Sequence, residues 1–68
     1  MKTGQTITVQ NSPNSYIKVI ITKKIHEGHA GFGGNDSEYD YTDYETKQGF
    51  IVREHFFNSG RNEIGIIN

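Results

Sequence analysis

The sequence predicts an all-β fold: a small five-stranded barrel or a strongly bent antiparallel sheet. Three observations predict it. The apolar inventory is nine isoleucines, three valines, four phenylalanines and four tyrosines, with no leucine and a single alanine. β-Branched and aromatic side chains suit a pleated surface, and the best helix formers are missing. Apolar and polar residues alternate in several short runs, which is the period of a half-buried strand. Turn-forming residues separate those runs at short intervals. Closure into a barrel would also remove the edges that an isoleucine-rich sheet should not expose.

The elements follow in order. "QTITVQ" alternates Ile7 and Val9 with polar residues, and "NSPNS" after it reads as a turn. "YIKVIITKKIH" is the longest candidate strand, with Ile17, Val19, Ile21 and Ile25 on one face and Tyr16, Lys18, Ile20, Thr22, Lys24 and His26 on the other. Its length predicts a bend or bulge near Thr22 to Lys24. Residues 27–38, "EGHAGFGGNDSE", have no apolar period and are rich in glycine, which predicts a long mobile loop. "YDYTDYE" resumes alternation, then changes phase so that Tyr44 takes the aromatic position. "TKQG" is a turn, "GFIVREHFF" a further strand, "NSGRN" a turn and "NEIGIIN" a short last strand. A helix over residues 47–58 is the alternative there, with Thr46 as N-cap and Gly60 as C-cap. Gly49 and the β-branched pair Ile51 and Val52 stand against it. The core expected from these phases is Ile7, Val9, Ile17, Val19, Ile21, Phe50, Val52, Ile64 and Ile66.

The tract "YDYTDYETKQGFIVREHFF" is similar to the distal hairpin and following tight turn of Src-homology-3-like barrels. The resemblance implies that "TKQG" is the distal turn and "EHFF" a short helical turn before the last strand.

At 68 residues the chain is one small domain, residues 1–68, with a thin core. It has no cysteine, so disulfides and cysteine-based zinc sites are excluded. A formal net charge of −1 gives no general affinity for nucleic acid. No apolar run is long enough for a transmembrane helix, and "MKTGQTITVQ" lacks the apolar stretch of a secretory signal, so no membrane partner and a cytoplasmic location are expected.

Candidate chemistry is sparse. His26, His29 and His55 could ligate a metal with Glu27, but the His-Glu-x-x-His spacing is one residue short, and no metal or other cofactor is expected. The backbone N–H groups of Gly31 to Asn35 could wrap a phosphate, but no lysine accompanies them and the flank "NDSEYD" is acidic. Serines 12, 15, 37 and 59 stand in turn or loop contexts without a motif that would activate them, so no catalytic residue is assigned and an enzyme is not expected.

Two surfaces remain. Asp36, Glu38, Asp40, Asp43 and Glu45 fall within ten residues, interleaved with Tyr39, Tyr41 and Tyr44. Tyrosine gives large contact area at low entropic cost and is enriched at interfaces. The expected function is therefore a non-enzymatic binding module, a small inhibitor or regulator of the phage or plasmid kind. Its protein partner would meet Phe32, Asp36, Glu38, Tyr39, Asp40, Tyr41, Asp43 and Tyr44. A nucleic-acid-binding barrel using Lys18, Lys23, Lys24 and Arg53 is the second reading. A binder of a phosphate-bearing small ligand at the glycine-rich segment, within one subunit or between subunits of a homo-oligomer, is the third.

Overall fold

The computed structural model describes residues 1–31 and 38–67. Five strands follow one another: β1 Thr6–Ser12, β2 Ser15–Ala30, β3 Tyr39–Thr46, β4 Ile51–Phe57 and β5 Asn62–Ile66. Each pairs antiparallel with the next, in the order β1-β2-β3-β4-β5. The sheet curls until β1 and β5 approach each other without a hydrogen-bonded ladder, giving a nearly closed barrel. No described residue is helical, so none of these elements is a helix long and apolar enough to cross a membrane.

The 16-residue β2 makes this curvature. Residues 15–20 pair with β1, and residues 21–30 pair with β3. Register shifts between Ile21 and Lys23, and again between Lys24 and His26, mark bulges in the β3-paired half. A bulge adds one unpaired residue, increases the local twist and bends the strand. The turn between β3 and β4 packs where β2 changes partner: Lys47 N–H donates to the Ile20 carbonyl, and Ile20 N–H donates to Gln48 Oε1.

The β3–β4 and β4–β5 hairpins share one design. Each has a four-residue connection whose third residue, Gly49 or Gly60, has φ of +92°. That left-handed position is strained for any residue with a Cβ. Thr46 reinforces the first hairpin, its hydroxyl donating to the Phe50 carbonyl at 2.8 Å and accepting from Phe50 N–H at 3.1 Å.

The core lies inside the barrel. Val9, Val19, Ile21, Tyr44 and Val52 are buried, and Met1, Ile7, Ile17, Phe50, Ile64 and Ile66 pack against them. Of the nine residues expected from the strand phases, Val9, Val19, Ile21 and Val52 are buried, and Ile7, Ile17, Phe50, Ile64 and Ile66 are partly buried and packed against them.

Several expectations are corrected. Ile25 does not join Ile21 on the core face. It falls within the second bulge and is 43% exposed. The loop expected over 27–38 does not begin at Glu27, because Glu27, Gly28, His29 and Ala30 pair with Thr42, Tyr41, Asp40 and Tyr39. Residues 32–37 lie outside the described residues. The helix alternative fails, since Ile51–Phe57 is a strand. The helical turn that the Src-homology-3-like resemblance implied at "EHFF" is absent for the same reason: Glu54, His55 and Phe56 are paired to β3 and β5.

Candidate functional site

The pairing of β3 with β4 has no break, so the two strands sort their side chains cleanly between two faces. Opposite residues of an antiparallel pair project to the same side. Tyr39, Tyr41 and Asp43 stand opposite Phe57, His55 and Arg53. Asp40, Thr42 and Tyr44 stand opposite Phe56, Glu54 and Val52. Tyr44 and Val52 belong to the core, so the first set forms the outer face.

On that outer face the rings gather. Tyr39 is their centre, with ring centroids 4.9 Å from His55, 5.3 Å from Phe57 and 6.2 Å from Tyr41. His55 stacks on Phe57 at 6.0 Å, and His26 from β2 adds to Tyr41 at 5.5 Å. Two arginines lie over the rings: Arg53 at 3.9 Å from the Tyr41 centroid and Arg61 at 4.3 Å from that of Phe57. Tyr39, Tyr41, His55 and Phe57 are each half-buried, and none is part of the hydrophobic core.

Arg53 is fixed from a second side. Its Nε donates to Asp43 Oδ1 at 2.7 Å and its Nη2 to Asp43 Oδ2 at 3.0 Å, a two-point carboxylate contact. His26 Nδ1 lies 3.4 Å from the same carboxylate. The Arg53 hydrogen bonds hold the Asp43 carboxyl below its usual range, against the opposing effect of burial, and His26 adds in the same direction. Asp43 in turn raises the Arg53 guanidinium.

At the far end of the β2–β3 ladder, His29 stands between two carboxylates. Its Nδ1 is 2.8 Å from Asp40 Oδ1 and its Nε2 is 3.0 Å from Glu38 Oε1. Those hydrogen bonds, Asp40 first and Glu38 second, raise the imidazole above its ordinary value. His26 and His29 project to opposite faces of β2, and among the described residues no group of three or more histidine or carboxylate side chains is placed to hold a metal ion.

The structure thus distributes the residues singled out from sequence. Tyr39 and Tyr41 come together on the outer face. Asp43 lies on that face too, but buried beneath Arg53. Tyr44 is a core residue, its hydroxyl 3.2 Å from the amino terminus of Met1. Burial, with the charges of Glu54 and Glu27, raises its phenol. Glu38 and Asp40 are engaged by His29, and Phe32 and Asp36 lie outside the described residues. The lysines do not converge. Lys18 is exposed opposite Thr8 in the β1-paired half of β2, Lys23 stands opposite Glu45, and Lys24 pairs with Glu27 at 3.5 Å. Arg53 is taken by Asp43.

Sequence reasoning missed His26, His55, Phe57 and Arg61 as members of the outer face. The available signal was the period-two run Arg53, His55, Phe57 in "REHFF". Comparisons of the chain with protein-family models, with curated proteins and with solved structures return no match.

Proposed function

We propose that the chain is a non-enzymatic binding module, a small inhibitor or regulator, that docks a protein partner on the outer face of β3 and β4. One observation carries this reading: four rings, Tyr39, Tyr41, His55 and Phe57, are collected outside the core with two arginines stacked on them. A barrel of this size gains more by burying aromatic surface within its own core than by displaying it. Tyrosine and arginine dominate the energetic centres of protein interfaces, where lysine is depleted. Arg53, held by Asp43 and Tyr41, would lose little further freedom on binding.

Charge favours a protein over a nucleic acid. Binding along a phosphate chain draws on uncompensated cations. Here Arg53 is matched by Asp43 and Arg61 by Glu63 at 3.3 Å, while Lys23 faces Glu45 in the ladder.

The test is capture from native lysate on the immobilised full chain, compared across matched variants and a salt series. We expect the Tyr39→Ala/Phe57→Ala variant to lose its specific partner. The Lys18→Glu/Lys23→Glu variant should keep it, with little dependence on salt. Retention by the ring variant, combined with salt-sensitive loss by the lysine variant and recovery of nucleic acid, would transfer the assignment to the nucleic-acid reading.

A further inference from the structure

The bridge around His29 lies behind the face just described. We infer that His29, when protonated, latches the end of β2 to the start of β3 and thereby seats Tyr39 in the ring cluster, and that loss of the proton opens this latch. The inference rests on the docking reading for its consequence, but the latch itself is defined by geometry alone.

Both ring nitrogens of His29 face carboxylate oxygens, at 2.8 Å and 3.0 Å. A carboxylate only accepts, so both bonds require both nitrogens to donate. Only the imidazolium does that, and a neutral ring turns a lone pair toward one of its partners. The two contacts are therefore satisfied together only by the protonated ring, and one of them is lost with the proton.

The two partners flank a single residue. Glu38 and Asp40 are the sequence neighbours of Tyr39, so one imidazolium holds the chain on both sides of that tyrosine. Tyr39 projects to the opposite face, where its ring touches Tyr41, His55 and Phe57. Glu38 also ties this corner to the β4–β5 turn: its carbonyl accepts from Asn58 N–H at 3.3 Å, and its Oε2 lies 3.5 Å from Asn58 Nδ2. Asp40 is the more exposed partner and the freer to swing into water.

The groups around His29 are mostly acidic. From β3 it faces Glu38 and Asp40. From the β4–β5 turn the neighbour of Glu38 is the uncharged Asn58. On its own strand Glu27 is two residues away and paired with Lys24. The raised imidazole fixes the direction of the effect: the latch is complete below the ordinary histidine range and is lost as pH rises through the higher folded value. His26 and His55 are the other two imidazoles at this sheet, so both need controls.

The experiment is a pH titration of the full chain by NMR, from about pH 5.5 to about pH 9. It follows the imidazole nitrogens of all three histidines, the Tyr39 ring resonances, and amide protection at residues 39–41. We expect His29 to titrate above an unperturbed histidine. Tyr39 ring shifts should follow that curve, and protection at 39–41 should fall roughly threefold or more once intrinsic exchange is removed. His29→Gln should abolish the pH dependence, whereas His26→Gln and His55→Gln should preserve it. Titration of His29 at or below its ordinary value, or Tyr39 signals that follow His26 or His55 instead, would overturn the inference. No partner enters this measurement, so a failed capture experiment leaves the latch standing, and a failed latch leaves the docking face to its own test.

Discussion

Asp43 and Glu54 are two nearly buried carboxylates on adjacent strands of one sheet, 5% and 9% exposed, and they are treated in opposite ways. Asp43 faces outward and is covered by Arg53, which donates two hydrogen bonds to it, with His26 beside them. Glu54 faces inward, between Thr42 and Ile64 and close enough to Tyr44 to raise its phenol. No ion pair among the described residues includes Glu54. The difference teaches where this protein holds its polar order. The outer face is a fixed array in which charge, ring and backbone positions depend on one another. On the inner face Glu54 packs among Thr42, Tyr44 and Ile64 without a cation.

Breaking the Asp43–Arg53 pair should have the largest effect. Arg53→Ala leaves a buried carboxylate without its cation, and such one-sided removals cost about 3–5 kcal/mol. Urea denaturation of the variant measures this. The pair also sets a pH dependence. Because the folded Asp43 carboxyl lies below its ordinary value, its stabilisation is present above the unfolded pKa and is lost as pH falls through the folded one. Wild-type stability should therefore drop at acid pH more steeply than that of Arg53→Ala. Equal acid profiles would mean that Arg53 does not stabilise Asp43 and that the two carboxylates are alike after all.

Glu54 should respond in the other sense. Glu54→Gln keeps the shape and removes a charge that no ion pair engages, so a gain of up to about 1 kcal/mol is expected. The same urea experiment reads it. A loss of that size would reveal a cationic partner for Glu54 and erase the contrast with Asp43.

How much of this was legible in the sequence follows from the same contrast. The core was readable because a period of two and a supply of isoleucine and valine decide which face is buried, and all nine expected positions are in the buried cluster or packed against it. The length of β2 predicted a bend or bulge near Thr22 to Lys24, and the shift between Ile21 and Lys23 is one; Ile25 was misplaced because a second bulge follows between Lys24 and His26 and its phase was not carried into the face assignment. The acidic tyrosine strand was visible as composition, but not as geometry. The shift of aromatic phase between Tyr41 and Tyr44 meant that these tyrosines occupy opposite faces, one outer and one in the core. Membership of His55, Phe57 and Arg61 in the outer face depends on the β3–β4 register and on the turn after β4, which are set by tertiary pairing.

The smallest effect concerns how Tyr41 is held within the outer array. Gly28 stands opposite Tyr41 in the β2–β3 ladder, and its backbone is not in the left-handed region. Alanine at Gly28 would therefore adopt the same backbone, and in an extended strand it should stabilise by about 0.5–1 kcal/mol through reduced freedom of the unfolded chain. Its Cβ, however, would sit 2.7 Å from Tyr41 Oη and 2.9 Å from Cζ. The ring must move, and Arg53 and His26 both pack against it. The two effects oppose each other, so Gly28→Ala alone should change stability by less than about 1 kcal/mol in the unfavourable direction. In a Tyr41→Ala background only the backbone gain remains, and the same substitution should become stabilising. The change of sign, measured as a double-mutant cycle, is the coupling between Gly28 and Tyr41. A Gly28→Ala effect that is the same in both backgrounds would mean that the Tyr41 ring does not rest on this strand, and that the outer face is less fixed than its contacts indicate.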